Sequence, residues 1–340
     1  MGFKRLDAED FVVSADAVQS VAWSTGAPTL TAYFTSSVQA AGSSGNYYLS
    51  VYQTSSTLSE TAVQFDIAYA DVLGSGSEYF NNAIPDRTPS STTFGQYRSL
   101  VLEDENANFT FGDGTNLITG SNFWVISPER ARYKEKLFPG TFNLSLSGSN
   151  GLIQLTDNSN DVTTQTFLGT TRVFQIVSGS NGSAYSTTGY VAGSGSYGLF
   201  LPDIATIILN PDAVSQSIHV ETDRAANLTN GTNQATLYDA LVLGASASLG
   251  FTLTAEETIT SDYVFVRSRN AEFNYSANPS FISGSTGEVI YSSFINNPQV
   301  YVTTVGMYND ANELVAVAKL SRPLLKDFTK ESLVRVKLDF

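Results

Sequence analysis

The chain has 340 residues, 42% of them hydrophobic, with no cysteine, a single histidine (His219) and a formal net charge of −14. The missing cysteines exclude disulfides, thiol nucleophiles and thiolate metal sites. One histidine leaves no multi-His metal centre and no Ser-His-Asp triad beyond that residue. The length predicts two domains, with enough chain to bury a core without covalent staples.

Met1-Gly-Phe-Lys-Arg-Leu-Asp7 carries two early positive charges with no apolar stretch behind them. The expectation is a soluble protein that acts where it is made or is carried by an assembly. No apolar run approaches the roughly 20 residues that span a bilayer, so no membrane partner is expected. The acidic balance also predicts no nucleic-acid partner, because phosphates require Lys and Arg counter-charge. No Lys or Arg lies between Leu6 and Asp86, whereas Arg130, Arg132, Lys134 and Lys136 come together, and six bases from Lys319 to Lys337 crowd the C-terminal part. An acidic body with two basic segments fits stacking against copies or neighbours of opposite polarity. Two solvated faces are the alternative.

In chain order, Ala41-Gly-Ser-Ser-Gly-Asn46 reads as a loop. Val63-Gln-Phe-Asp-Ile-Ala-Tyr-Ala70 alternates Val63, Phe65, Ile67 and Tyr69 against smaller or polar residues, the period of a strand. Gly74-Ser-Gly-Ser77 is another loop. Gly112-Asp-Gly-Thr-Asn116 reads as a hairpin turn, with a calcium loop as the alternative. Ser127-Pro-Glu-Arg-Ala-Arg-Tyr-Lys-Glu-Lys136 predicts a short helix with Ser as N-cap, Pro at the first position and bases toward the end. Phe142–Leu146 and Leu152–Leu155 read as strands joined by the loose loop Ser147–Gly151.

Ser178–Ser183 and Gly193-Ser-Gly-Ser-Tyr-Gly198 continue the glycine-rich loops. The second spells GxGxxG, but Leu-Phe-Leu-Pro-Asp-Ile follows it, with no helical pattern to receive a pyrophosphate, so it reads as a loop. His219 lies in the strand-like run Ser217–Glu221 and receives no role. Gln234–Leu243 places Leu237, Ala240 and Leu241 at helical spacing with Gly244 as a stop. Tyr263–Arg269, Phe273-Asn-Tyr275 and Leu333–Phe340 read as strands, the last with Val334, Val336, Leu338 and Phe340 on one face. Asn-Pro pairs at Asn210, Asn278 and Asn297 mark turns.

Thr303–Leu324 (TTVGMYNDANELVAVAKLSRPL) reads as a hairpin turning at Asn309–Asn312 and stopped by Pro323. Its second strand is apolar at both parities, which predicts a strand buried on both faces. The whole is expected to be mainly β, with β-sandwich or barrel-like domains and few short helices. The domains are expected at 1–147 and 148–340, the boundary at 147–151 or within 178–198.

No constellation of catalytic residues stands out, and no cofactor or metal is expected. With 32 Asp and Glu, a carboxylate-based glycoside hydrolase is the enzymatic alternative. The expected interface residues are Arg130, Arg132, Lys134, Lys136, Lys326 and Lys330.

Phe3-Lys-Arg-Leu-Asp7, Gly95–Val101, Glu129-Arg-Ala-Arg-Tyr-Lys-Glu-Lys-Leu-Phe-Pro-Gly-Thr141, Phe273–Ile282, Phe294–Tyr301 and the hairpin at 303–324 together carry a resemblance. In this order, over the whole chain, they resemble a virion structural protein of T-even-like contractile-tailed phages, of the kind carried by cyanobacterial phages. The resemblance implies a non-enzymatic tail subunit at the baseplate, assembled in the host cytoplasm in multiple copies and partnered by other tail proteins. It attaches no catalytic residues. A peripheral receptor- or glycan-binding module, or a neck or capsid-surface protein, is the alternative.

Overall fold

The computed structural model describes residues 4–22, 37–38, 48–53, 62–77, 80–81, 83–85, 87–112, 115–186, 189–224, 232–247 and 250–339. The loop expected at 41–46 lies outside them, as do Asp113, Gly114 and Phe340. The strands begin with β1 Phe11–Val21, β2 Ser37–Val38, β3 Tyr48–Gln53 and β4 Ala62–Asp71, followed by helix α1 Pro89–Tyr97. Next come β5 Phe109–Gly112, β6 Leu117–Gly120, β7 Asn122–Pro128, β8 Lys136–Leu137, β9 Asn143–Gly148 and β10 Gly151–Asp157. They are followed by β11 Thr166–Leu168, β12 Thr171–Ser180, β13 Ser183–Ala184, β14 Gly198–Leu201 and β15 Thr206–Leu209. Helices α2 Pro211–Ile218 and α3 Thr232–Ala247 precede β16 Phe251–Thr252 and β17 Thr254–Ser268. Helix α4 Ser292–Asn296 and strands β18 Val300–Tyr308, β19 Leu314–Lys326 and β20 Ser332–Asp339 complete the chain. The protein is mainly β, with a large curled antiparallel sheet and few short helices.

Two compact units share the chain: a larger one, Val18–Glu257, and a smaller one made of Met1–Ala17 with Thr258–Phe340. The expected boundary regions fall inside the larger unit. Residues 147–151 are the tight turn between β9 and β10, where Gly148 pairs with Gly151, and 178–198 feeds β12 into β14 of the same sheet. Glycine and serine there mark a turn between hydrogen-bonded strands, which composition does not distinguish from a linker.

The larger unit is built on one sheet with the order β16-β9-β10-β12-β14-β15-β7-β4-β3-β2, with β11 and β13 added on β12. Its central strand β7 is buried on both faces. Trp124 and Ile126 join one hydrophobic cluster with Phe65, Ile67, Phe200, Ile207 and Leu209, and that cluster includes Ala213 and Val214 of α2 and Leu237, Ala240 and Leu241 of α3. Phe123 and Val125 point the other way, into a second cluster with Phe94 of α1 and Phe109 and Phe111 of β5. The sheet also curls on itself. Phe65 of β4 meets Phe251 of β16 edge-on with ring centroids 5.3 Å apart, although many strands separate them in the sheet order. Phe142 bridges the gap, stacked on Phe200 at 5.4 Å.

Helix α3 forms where Leu237, Ala240 and Leu241 recur at helical spacing, but it continues through Gly244 to Ala247. A Cβ at Gly244 would stand 2.1 Å from the Ser145 carbonyl oxygen, so this glycine lets the helix lie close on β9. The helix expected over Ser127–Lys136 does not form. Ser127 and Pro128 are paired with Asp66 and Phe65 of β4, and the Glu129 N–H, which a helix would leave free in its first turn, donates to the Gln64 carbonyl at 2.9 Å. Only Arg130–Arg132 turns, as a single 3-10 turn. Likewise Ser217–Glu221 is not a strand. Asn210 caps α2 by accepting from the Asp212 N–H, Pro211 holds its first position, and His219 ends it in the left-handed region with φ 57°.

In the smaller unit, β17 and β20 pair antiparallel from Ser261 with Asp339 to Ser268 with Ser332, and β1 lies on the other side of β17 in the strand order. Along β20, Val334, Val336 and Leu338 are more buried than Leu333, Arg335 and Lys337, as the alternation predicts. Phe273-Asn-Tyr275 is not a strand. Phe273 takes a left-handed φ of 57°, and the Asn274 amide turns inward to donate to the Asn270 carbonyl at 2.6 Å.

Removing the ring that joins β4 to β16 tests how far the curl stabilises the larger unit. Phe65→Ala should cost about 3–5 kcal/mol, read as a lower midpoint in urea denaturation, because the packed residues around this fully buried ring relax only partly into the cavity.

Candidate functional site

The basic residues expected at an interface separate into different environments. In the larger unit, Arg130 is exposed and its guanidinium lies 4.7 Å from the centroid of the Tyr133 ring. Arg132 is half-buried. Lys134 pairs with Glu257 at 2.7 Å and Lys136 with Glu256 at 3.8 Å, the second pair set by the register of β8 on β17. Of the four bases, Arg130 and Lys134 are exposed while Arg132 and Lys136 are half-buried, and two acids already offset part of their charge.

Lys326 and Lys330 belong to the smaller unit. Lys330 is exposed. Lys326 is fully buried, and its Nζ donates to the Asn270 carbonyl (3.1 Å), Asn274 Oδ1 (2.8 Å) and the Asp327 carbonyl (2.9 Å). Three ammonium hydrogens meet three acceptors, so Lys326 holds the loop at 270–274 to the end of β19 and offers nothing to a partner. Beside it, the Asp327 carboxylate is held below its ordinary range by the Thr329 hydroxyl, which donates to it at 2.6 Å.

The hairpin of β18 and β19 carries an open apolar surface. These strands form a separate two-stranded sheet. Val315 and Val317 are 69% and 57% exposed, and Leu314, Tyr301 and Tyr308 are exposed as well. The expectation of a strand buried on both faces is thus overturned for β19. Its second face, with Ala316, Ala318 and Leu320, is only half-buried. Pro323 does not end the strand either. It lies in the stretch 320–323 that drops out of register between the Thr304–Lys319 and Val302–Leu324 pairs, because proline has no N–H for the ladder.

Among the described residues of the larger unit, two hollows are of note. One, of about 420 Å³, is lined by Phe138, Asn160, Gln165, Arg172, Phe174 and Glu256. Arg172 is fixed there by Asp203, with Nη2 2.6 Å and Nε 3.0 Å from Oδ1. Burial pushes the Asp203 carboxyl up, but the hydrogen bonds and charge of Arg172 outweigh it and leave the group below its ordinary range. The other, of about 190 Å³, lies where Tyr48, Asp66, Thr93, Gln96, Tyr97 and Ser127 converge between the sheet and α1. Burial pushes the Asp66 carboxyl up, against a hydrogen bond from Ser50 and with the Glu129 charge adding to the rise. The Tyr97 phenol is raised by burial and then by Asp66. No sequence signal singled out either hollow, since each draws its lining from segments far apart in the chain.

GxGxxG at 193–198 leads into β14 and a 3-10 turn at Pro202–Ile204, not into a helix. Gly195 packs so close to Phe111 that a Cβ would lie 2.7 Å from its carbonyl oxygen. The turn expected at 112–116 joins β5 to β6, which pair antiparallel, while its Asp-Gly centre lies outside the described residues. Among the described residues no three His, Asp or Glu side chains converge as metal ligands, and no helix is long and apolar enough to cross a membrane. No family model matches the chain, and neither a curated protein nor a solved structure matches it.

Two measurements probe these groups. Lys326→Ala leaves Asn274 Oδ1 and two carbonyls without their donor in the interior and should destabilise the smaller unit by about 2–4 kcal/mol. Faster amide hydrogen exchange around 270–274 and 326–330 reads this loss. For Asp66, the folded state holds its proton to higher pH than the unfolded chain. Its contribution is therefore most favourable below the unfolded carboxyl pKa and is lost as pH rises through the folded value. Asp66→Asn should flatten this acid-side dependence and leave the protein at least as stable as the parent at neutral pH, as thermal melts across pH would record.

Proposed function

We infer that the chain is a non-enzymatic structural subunit of a contractile phage tail, placed at the baseplate and acting through protein–protein interfaces in multiple copies. The observation that carries this reading is the uneven burial of its two units. Among the described residues of the smaller unit, the apolar side chains that are fully enclosed are Val264, Phe281, Val300 and Val336. Against them stand exposed Phe11, Val12, Val13, Tyr275, Tyr291, Ile295, Tyr301, Val315, Val317 and Leu333. A unit with so small an interior and so much open apolar surface has the character of a piece completed by neighbours. The resemblance of the chain to a phage structural family supplies the assembly in which such neighbours occur.

The exposed bases Arg130 and Lys134 belong to the same reading, as charges that orient a docking neighbour. A second reading, a peripheral glycan-binding module, is favoured by the hollow of Phe138, Asn160, Gln165 and Glu256, whose amides and carboxylate match sugar hydroxyls. Binding of the purified protein to host cells or their polysaccharide would support it over the first.

The variant Arg130→Glu/Lys134→Glu should remain folded, with a melting temperature within a few degrees of the parent, and should be depleted from assembled tails. Quantitative mass spectrometry of purified particles measures this. Incorporation at the parental level would remove these residues from the interface, and absence of the parent chain from tail particles would overturn the reading itself.

A further inference from the structure

The hairpin of β18 and β19 carries opposite charges at its two ends. Asp310 and Glu313 stand at the tip, and Lys319 and Arg322 lie further down β19. All four are exposed. Among the described residues Asp310, Lys319 and Arg322 form no ion pair, and the Glu313 carboxylate accepts from the Asn309 side-chain amide (2.8 Å) and pairs with no cation. Residues 320–323 drop out of the ladder level with Thr303, and Glu313 stands level with Asn309. About six ladder positions, about 20 Å, therefore separate Glu313 from Arg322, and the two ends cannot neutralise each other within one hairpin.

Between these ends the exposed side chains are apolar: Tyr308, Leu314, Val315 and Val317. Gly306 stands opposite Val317 in the ladder, and the Tyr308 ring and Leu314 side chain lean over it, which places them on the same apolar face. A hairpin of two strands is marginal by itself in water, and one apolar on both faces needs a cover. The surface that fits must be apolar in its middle, basic where it meets the tip and acidic where it meets the base. The same hairpin rotated by 180° has that pattern.

We propose that two copies of the chain dock through this hairpin about a two-fold axis near Val317, apolar face on apolar face, with the acidic tip of each on Lys319 and Arg322 of the other. The contact is isologous and closes on itself, so it yields a dimer and no filament. Packing at the roughly 10 Å spacing of stacked sheets buries Val315 and Val317 of both copies at the centre. The idea deepens the reading of the chain as an assembly subunit and rests on it for its setting.

Sedimentation equilibrium of the full chain tests the proposal, with thermal melts confirming that each variant is folded. The parent should be a dimer. Val315→Glu/Val317→Glu should raise the dissociation constant by about a hundredfold or more, since the centre of an interface carries most of its energy. Lys319→Glu/Arg322→Glu should do the same by setting acid against acid. Adding Asp310→Lys/Glu313→Lys to that second variant should bring the constant back to within about tenfold of the parent. A parent that stays monomeric at every concentration, a dimer indifferent to the valine substitutions, or a fourfold charge swap without rescue would each overturn it. No tail particle enters this experiment, so it can fail while incorporation into tails succeeds, and the reverse.

Discussion

The larger unit depends on one constraint: a long antiparallel sheet whose central strands are buried on both faces. Antiparallel sheets often leave one face to water, and their strands then alternate cleanly. Here Phe123 to Ile126 are all interior, so both faces need cover. Helices α2 and α3 supply it on one side, and α1 with the β5–β6 pair supplies it on the other. Curling lets the two ends of the sheet share the first of these cores, where Phe65, Phe142, Phe200 and Phe251 meet. Buried polar groups follow from the same enclosure. Trp124 Nε1 reaches the Asn233 carbonyl at 2.8 Å, and the Asn233 side chain holds Gly76 and Asp223 in turn. The Tyr69 phenol is pushed up by burial and then by the neighbouring Asp71.

The smaller unit lives under the opposite condition. Its strands bury little, and polar contacts take over much of the ordering. Lys326 ties the 270–274 loop to β19, and the exposed Arg267–Glu331 pair, with two contacts of 2.8 and 3.0 Å, spans from β17 to the start of β20. A small aromatic cluster adds to this, in which Phe281 and Phe294 stack at 5.2 Å. What stays open is apolar, and this ties the architecture to association. A unit of this kind gains from any neighbour that removes Val315, Val317 or Tyr301 from water.

Much of the fold was legible locally. Strands β4 and β20 announced themselves by alternation, β9 and β10 as two strands flanking a glycine-rich loop, β17 by its β-branched and aromatic residues, and α3 by Leu237, Ala240 and Leu241. The errors share a cause. The stretch from Ser127 has every local mark of a helix start, yet its backbone is claimed by β4, because ladder partners far along the chain outrank a cap and a first-turn proline. Val315 and Val317 read as core, whereas a strand buried on both faces is formed by Phe123 to Ile126. Of the expected interface bases, Arg130 and Lys134 lie on the surface and Lys326 lies inside. A lysine in a basic run looks like any other until Asn270 and Asn274 close over it.

By itself, the sequence determined the chemistry on offer and the class of fold. It held no thiols, one histidine, a surplus of acid, and strands punctuated by glycine, serine and asparagine. These are properties of residues and their near neighbours, and they survive any arrangement of the chain. The tertiary structure alone decided where the chain parts into units, which apolar strand is covered and which is left open, and which lysine is buried. Each of these depends on contacts between residues far apart in sequence, and burial is a property of what the rest of the fold places over a side chain.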